Sequence, residues 1–335
     1  MIRHQFPSLH HARALIGAWA LMLFCTAPAL ASDGTLLIVG GALREDNAAV
    51  HKALTEALLP DGPLVIIPAA SGRPAHSAAG FSDSLQAYGL SSERIFIYPL
   101  ALRDDSGTED VDESLWARNA WNEDLVEQVS NAAGFWFTGG DQMRIVQAMV
   151  SDEGVASPLL EQVRERLNAG AVIAGSSAGA AIMSRDMIAG GISFTALLEP
   201  LAGTYTDNED QDSGRLYLSR GVGFLPDGIV DQHFDRKARL GRLVRAMAAV
   251  SQPRGYGIDE DTALQVWLGQ DRARVLGSGS VTILDASDAR FAFGGAALAS
   301  GLEISVLAAG VELRLSDQSM LAGQGQATVG NEYFG

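Results

Sequence analysis

The chain has 335 residues, 47% of them apolar and 19% charged, which suits a sizeable core in one large or two modest domains. A formal charge of −16, from 24 Lys and Arg against 40 Asp and Glu, argues against a nucleic-acid partner, whose phosphates need cationic neutralisation. One cysteine and six histidines leave little from which to build a transition-metal site, so neither a metal nor a cofactor is expected.

Residues 1–31 read as a signal peptide. Arg3 and Arg13 make the start basic, Ala14 to Cys25 is apolar, and Ala29 and Ala31 form an A-x-A exit, so cleavage after Ala31 is expected. The apolar part is short for a membrane anchor, and Phe24 is too bulky to precede a lipidated cysteine. The expected mature chain is exported to the periplasm or medium. It loses Cys25, His4, His10 and His11, keeps His51, His76 and His233, and carries a formal charge of −18 once Arg3 and Arg13 are gone. No later apolar run is long enough to span a bilayer, so no membrane association is expected after cleavage.

The mature part, 32–335, reads as one α/β domain with its core at about 35–284. Thr35 to Val39 is a buried strand ending in Gly40-Gly41, and Ala48 to Leu59 is a helix stopped by Pro60-Asp61-Gly62. His51, mid-helix among charged neighbours, is expected at the surface. A second strand, Leu64 to Ile67, leads through a polar loop (69–77) to a helix at Ala79 to Tyr88. Arg94 to Tyr98 is a third strand, 104–113 an acidic loop, and Leu115 to Ser130 one long helix. Phe135 to Phe137 is a fourth strand, ending in Thr138-Gly139-Gly140-Asp141-Gln142, with helices at Met143 to Met149 and Pro158 to Asn168.

A further apolar run then enters Gly175-Ser176-Ser177-Ala178-Gly179. This alternation predicts a mostly parallel sheet with helices on both faces, whose sites lie beyond the carboxyl ends of the strands. The loop from Gly191 to Gly214 carries the acidic cluster 207–212 and suits a lid or a mobile surface loop. Gly228 to Phe234 is a strand with a polar end, and Arg236 to Val250 a basic amphipathic helix with Leu240, Leu243, Val244 and Met247 on one side. Gly255 to Leu264 holds an acidic turn, and 265–335 reads as a small β-rich appendage of hairpins.

Gly175, Ser177 and Gly179 fit G-x-S-x-G, which sets a serine on a sharp strand-to-helix turn. The pentapeptide alone is equally a Gly/Ala-rich connection. A serine hydrolase also needs a base, an orienting acid and an oxyanion hole. His233, at a strand end, is the best-placed base, while His76 stays open. Asp231, Asp259, Glu260 and Asp261 are all candidate acids that spacing does not separate. The backbone N–H of Ala178 and one from the Gly139-Gly140 turn are candidate oxyanion donors.

Four ordered motifs carry a resemblance. Gly139-Gly140-Asp141-Gln142, Gly175-Ser176-Ser177-Ala178-Gly179-Ala180, Asp231-Gln232-His233-Phe234 with Arg239 and Arg242, and Gly257-Ile258-Asp259-Glu260 resemble the cyanophycinases over roughly Thr35 to Leu284. These are serine peptidases related to aspartyl dipeptidases, with a fold like class I glutamine amidotransferases. The resemblance implies Ser177 as nucleophile, His233 as base, Glu260 as acid, and Gly140 and Ala178 at the oxyanion hole. It puts Gln142, Asp231, Gln232, Lys237, Arg239 and Arg242 around the substrate. Lys237 stands where the family usually has arginine, and Ser176 where threonine is common.

The resemblance implies a homodimer that cuts cyanophycin, a poly-aspartate with arginine on each β-carboxyl, to β-Asp-Arg dipeptides. The alternatives are a secreted aspartyl or isoaspartyl dipeptidase-like exopeptidase and a non-catalytic binding protein on the same scaffold.

Overall fold

Runs of Val, Ile, Leu and Phe without polar alternation form the centre of the molecule, because a strand covered on both faces needs apolar side chains on both. The computed structural model describes residues 34–109, 111–205, 214–293 and 298–321. The signal-peptide reading of 1–31 and the acidic cluster 207–212 lie outside the described residues.

The strands are β1 (Thr35–Val39), β2 (Leu64–Ile67), β3 (Ile95–Ile97), β4 (Gly134–Phe137), β5 (Val172–Ser176), β6 (Asp186–Gly190), β7 (Tyr217–Arg220), β8 (Ile229–Asp231), β9 (Arg254–Ile258), β10 (Thr262–Trp267), β11 (Arg272–Gly277), β12 (Ser280–Asp285), β13 (Arg290–Ala292), β14 (Leu298–Ser300), β15 (Glu303–Ala308) and β16 (Glu312–Arg314). The helices are α1 (Ala48–Glu56), α2 (Pro74–Ala87), α3 (Glu123–Glu127), α4 (Gln142–Met149), α5 (Pro158–Asn168), α6 (Ala178–Ala181), α7 (Ser193–Leu198) and α8 (Leu240–Val250).

An eight-stranded sheet runs β16-β11-β10-β1-β5-β4-β2-β3. Neighbours from β1 to β3 are parallel, whereas β10, β11 and β16 are antiparallel. Four of its seven pairings are therefore parallel, as expected of the core, and the three at its C-terminal edge are antiparallel. Its C-terminal strands also extend the central sheet instead of forming an appendage to it. β12 and β15 contribute to a second sheet, β15-β12-β9-β8, in which β8 and β9 are parallel, while β13 and β14 pair only with each other.

Alternate residues of β1 point to opposite faces. Leu36 and Ile38 join the core that holds Ile145, Leu160, Ala178, Tyr256 and Ile283, while Leu37 and Val39 join Val50 and Leu54 of α1 and Ala78 and Leu85 of α2. Each such fully buried aliphatic side chain stabilises the fold by about 1.5–3 kcal/mol.

Four further sequence expectations change. The helix expected at 115–130 is two 3₁₀ turns, Glu113–Trp116 and Asn119–Trp121, followed by the five-residue α3. Side-chain capping by Asp112 starts the first 3₁₀ turn and capping by Asn122 starts α3. The helix expected from Ala79 begins at Pro74, a residue whose fixed φ suits the first helical position. The helix expected from Arg236 begins at Leu240, because Ala238 takes a left-handed φ of 48°. Leu240, in that first turn, is exposed while Leu243, Val244 and Met247 are buried. Finally, His51 is buried rather than at the surface. Its Nδ1 lies 2.8 Å from the Asn47 carbonyl and its ring stacks on Tyr88 at 4.6 Å.

The order β1-β5-β4 decides where chemistry can occur. The strand ends Gly40-Gly41, Ser176-Ser177 and Thr138-Gly139-Gly140 are carried by three adjacent strands.

Candidate active site

The turn from β5 into α6 is tighter than a side chain allows. A Cβ on Gly175 would lie 2.6 Å from the Gly179 carbonyl carbon, and one on Gly179 would lie 2.2 Å from the Phe137 oxygen. Between these glycines Ser177 takes φ 54° and ψ −106°, a strained geometry for a residue with a Cβ. Its N–H donates to the Val39 carbonyl at 3.0 Å, and its carbonyl accepts from Ala180 and Ala181. The hydroxyl is thereby presented at the N-terminal end of α6. The Ala178 N–H is the first of that helix and has no acceptor within it. The Gly139 turn lies over the serine: a Cβ there would sit 3.4 Å from Ser177 Cβ.

β8 delivers the second group. The His233 N–H donates to the Gly40 carbonyl at 2.7 Å, and the residue takes a positive φ of 49°. Its Nε2 lies 2.8 Å from Ser177 Oγ. Its Nδ1 lies 2.7 Å from Glu260 Oε1. The Glu260 N–H in turn donates to Asp235 Oδ1 at 3.0 Å. The chemically consistent tautomer has Nδ1–H donating to Glu260 and Nε2 accepting from the serine hydroxyl.

Burial holds the His233 pKa below the ordinary histidine value of about 6.5. The hydrogen bond to Glu260 opposes that shift, and the nearby Arg239 and Lys237 cations reinforce it. At neutral pH the ring is therefore uncharged, the state in which it can remove the serine proton.

The other candidates are occupied elsewhere. Asp259 accepts from the Ser280 N–H and hydroxyl at 2.8 and 2.6 Å. Asp261 accepts from Arg44 N–H and the Asn47 amide, and Asp231 from Arg242. His76 is exposed on α2. Among the described residues, no group of three His, Cys, Asp or Glu could hold a metal ion.

The six residues placed around the substrate on resemblance are mostly interior. Asp231 is 0% exposed and Arg242 is 2% exposed. They form a two-point ion pair, Nε to Oδ2 at 2.9 Å and Nη2 to Oδ1 at 2.6 Å, while Arg242 Nη1 donates to the Gly191 carbonyl at 2.7 Å. All three guanidinium nitrogens of Arg242 thus carry protein hydrogen bonds. Arg239 Nη1 donates to the Gln232 carbonyl at 2.6 Å and lies 3.7 Å from Asp231 Oδ1. Gln142 donates to the Ile188 and Ala189 carbonyls. The buried Oε1 atoms of Gln142 and Gln232 accept from none of the described residues. Lys237 alone of the six is exposed.

Two contacts escape sequence reading. Asp235 holds the Glu260 backbone although 25 positions separate them. Asp141 caps α4 by accepting from the Met143 N–H and also accepts from the Tyr205 hydroxyl. The cap has a sequence signal, an Asp just ahead of a helical run. The tyrosine contact and the Asp235 contact have none.

The profile of peptidase family S51 matches residues 36–274. The chain is 33% identical to the cyanophycinase of Nostoc sp. over 263 residues, 77% of this chain and 76% of that one. It is 34% identical to the cyanophycinase of Synechococcus elongatus over 263 residues, 77% and 70% of the two chains. It is 31% identical to the cyanophycinase of Geminocystis herdmanii over 256 residues, 75% and 80% of the two. In fold it is similar to the crystal structure of a peptidase from an acI-B1 Actinobacterium, with a TM-score of 0.54 at 20% identity, covering 85% of this chain and 98% of that one.

Proposed function

We propose that this chain, which belongs to peptidase family S51 and is a serine-type peptidase, hydrolyses cyanophycin to β-Asp-Arg dipeptides. The observation that carries the reading is the continuous relay Ser177 Oγ, His233 Nε2, His233 Nδ1, Glu260 Oε1, at 2.8 and 2.7 Å. A serine at a strand end gains reactivity only when a neutral base faces its hydroxyl and a third group fixes that base.

Ser177 attacks the scissile carbonyl while His233 Nε2 takes the hydroxyl proton. Glu260 keeps the imidazole in the right tautomer and stabilises the cation that forms. The N–H groups of Ala178 and Gly140 receive the developing oxyanion, a contribution on the order of 10²–10³ in rate per donor. His233 returns the proton to the leaving amine, which departs and leaves an acyl group on Ser177. Water, deprotonated by the same ring, then releases the acid.

The buried Asp231–Arg242 pair and Arg239 shape the wall behind His233 rather than grip the substrate directly. Lys237, exposed four residues after His233, is the cation best placed to meet a substrate carboxylate. The reading takes the fold as class I glutamine amidotransferase-like, the mature protein as exported and the working unit as a homodimer. N-terminal sequencing of the secreted protein and light scattering test the last two.

The decisive experiment is incubation with cyanophycin and analysis of the products, alongside Ser177→Ala. β-Asp-Arg from the wild type alone supports the reading. Cleavage of short Asp-X peptides with intact polymer would replace it with a dipeptidase.

A further inference from the structure

We propose that Asp261, next to Glu260, is a positioning residue for the catalytic relay. This rests on the assignment of Ser177, His233 and Glu260 above, but not on the identity of the substrate.

The residue is buried and takes a left-handed φ of 53°. Its Oδ1 accepts from the Arg44 N–H at 2.9 Å and from Asn47 Nδ2 at 2.8 Å, and its Oδ2 accepts from the Ser278 hydroxyl at 2.5 Å. Its backbone is engaged as fully. The N–H donates to the Gly41 carbonyl at 2.8 Å, and the carbonyl accepts from Asn47 Nδ2 at 2.8 Å and the Ser278 N–H at 3.0 Å.

These bonds reach both sides of the relay. Through Ser278 they fix the acidic turn to the β11–β12 connection. Through Arg44 and Asn47 they fix the segment that follows Gly41. Gly41 abuts the imidazole, since a Cβ on it would lie 2.3 Å from His233 Cε1. Asp261 therefore joins the wall against the His233 ring to the residue that carries the orienting carboxylate. No atom of this network comes from the serine or the histidine, so Asp261 acts through its neighbours. A side chain that only closed a loop would not need to span both.

The hydrogen bond from His233 to Glu260 raises the ring's proton affinity against burial. Once Asp261 is removed, Glu260 drifts from Nδ1, and the ring becomes a weaker base with a lower pKa.

The readout is the rate at which a fluorophosphonate probe labels Ser177, measured against pH. That rate depends on proton removal by His233 and not on which peptide the enzyme cuts. Asp261→Ala is expected to label about tenfold more slowly. Its acid limb is expected to move to lower pH by about half a unit. Asp261→Asn is expected to restore both, because its oxygen still accepts from Arg44 and Asn47 and its amide can donate to Ser278. Ser278→Ala, at the exposed end of the network, is expected to slow labelling about threefold with an unchanged melting temperature.

Asp261→Ala with wild-type labelling and an unmoved acid limb would overturn the proposal, as would Asp261→Asn as impaired as the alanine variant. If Asp261→Ala fails to fold, wild-type labelling of Ser278→Ala overturns it instead. Normal labelling of the wild type without cyanophycin cleavage would sink the substrate assignment and leave this proposal standing.

Discussion

Glu260 Oε1 lies 2.7 Å from His233 Nδ1 across a sequence separation of 27 residues, bridged by the parallel pairing of β8 with β9. In the proposed relay the charge of the glutamate, not only its shape, stabilises the imidazolium that forms as the serine loses its proton. Glu260→Gln retains an acceptor for Nδ1–H and loses that charge. It is expected to lower kcat roughly a hundredfold with KM changed less than about threefold. Steady-state kinetics on cyanophycin checks this, and a raised KM with kcat unchanged would place the residue in substrate binding instead.

The acid limb of activity follows from the depressed pKa of His233. Only the neutral ring accepts the serine proton, and its pKa in the folded protein is below about 6.5. The rate is therefore expected to hold as pH falls through 6.5 and to decline only at lower pH, through the folded value. The same shift has a sign for stability. The unfolded chain binds a proton at this histidine more readily than the native one, so stability rises with pH across that window and is lost as pH falls through it. A pH profile of kcat/KM shows the first effect, and an NMR titration of the imidazole gives its midpoint. A midpoint above 6.5 would contradict the burial argument.

These properties were legible in the sequence to different depths. β1 and α5 are readable because their determinants are local: an uninterrupted apolar run, and Pro158 at a helix start with Gly170 beyond its end. The stretch 115–130 is misread because Asp112 and Asn122 each cap a new turn, and hydrophobic spacing does not register such competition. His51 has charged sequence neighbours, yet Phe81 of α2 and Tyr88 just beyond that helix cover it, and cover is a tertiary fact. The direction of β10 beside β1 is equally invisible, since an apolar strand reads the same either way. At the site, motif order singles out Ser177, His233 and Glu260 among the alternatives. It does not disclose that Asp231 spends its charge on Arg242.

Gly41 offers a test of how closely the ring is held. It takes φ +110°, and a Cβ there would fall 2.3 Å from His233 Cε1 and 2.4 Å from Nε2. Gly41→Ala is therefore expected to push the imidazole off Ser177 and to lower kcat about a hundredfold, consistent with the sensitivity of proximity effects to displacements near 1 Å. The strained φ adds a stability cost of about 1–3 kcal/mol. Comparing kinetics with urea denaturation separates the two, and a variant with normal kcat would show that the ring has room to spare.

The Asp231–Arg242 pair gives the clearest stability prediction, because both side chains are almost entirely buried and each neutralises the other. Arg242→Met leaves a buried carboxylate with the longer ion pair to Arg239 Nη1, at 3.7 Å, in place of its two-point contact. Breaking a buried pair from one side costs about 3–5 kcal/mol, whereas replacing both partners by apolar groups of similar size costs far less or nothing. Arg242→Met and Asp231→Leu alone are each expected to destabilise by that amount in denaturant unfolding, and the double variant by markedly less than their sum. The double variant also loses the bond from Arg242 to the Gly191 carbonyl, so the segment entering α7 should become more susceptible to proteolysis even if the fold recovers its stability. A double-mutant cycle with additive losses would mean that the two charges do not depend on each other, contrary to their two-point contact.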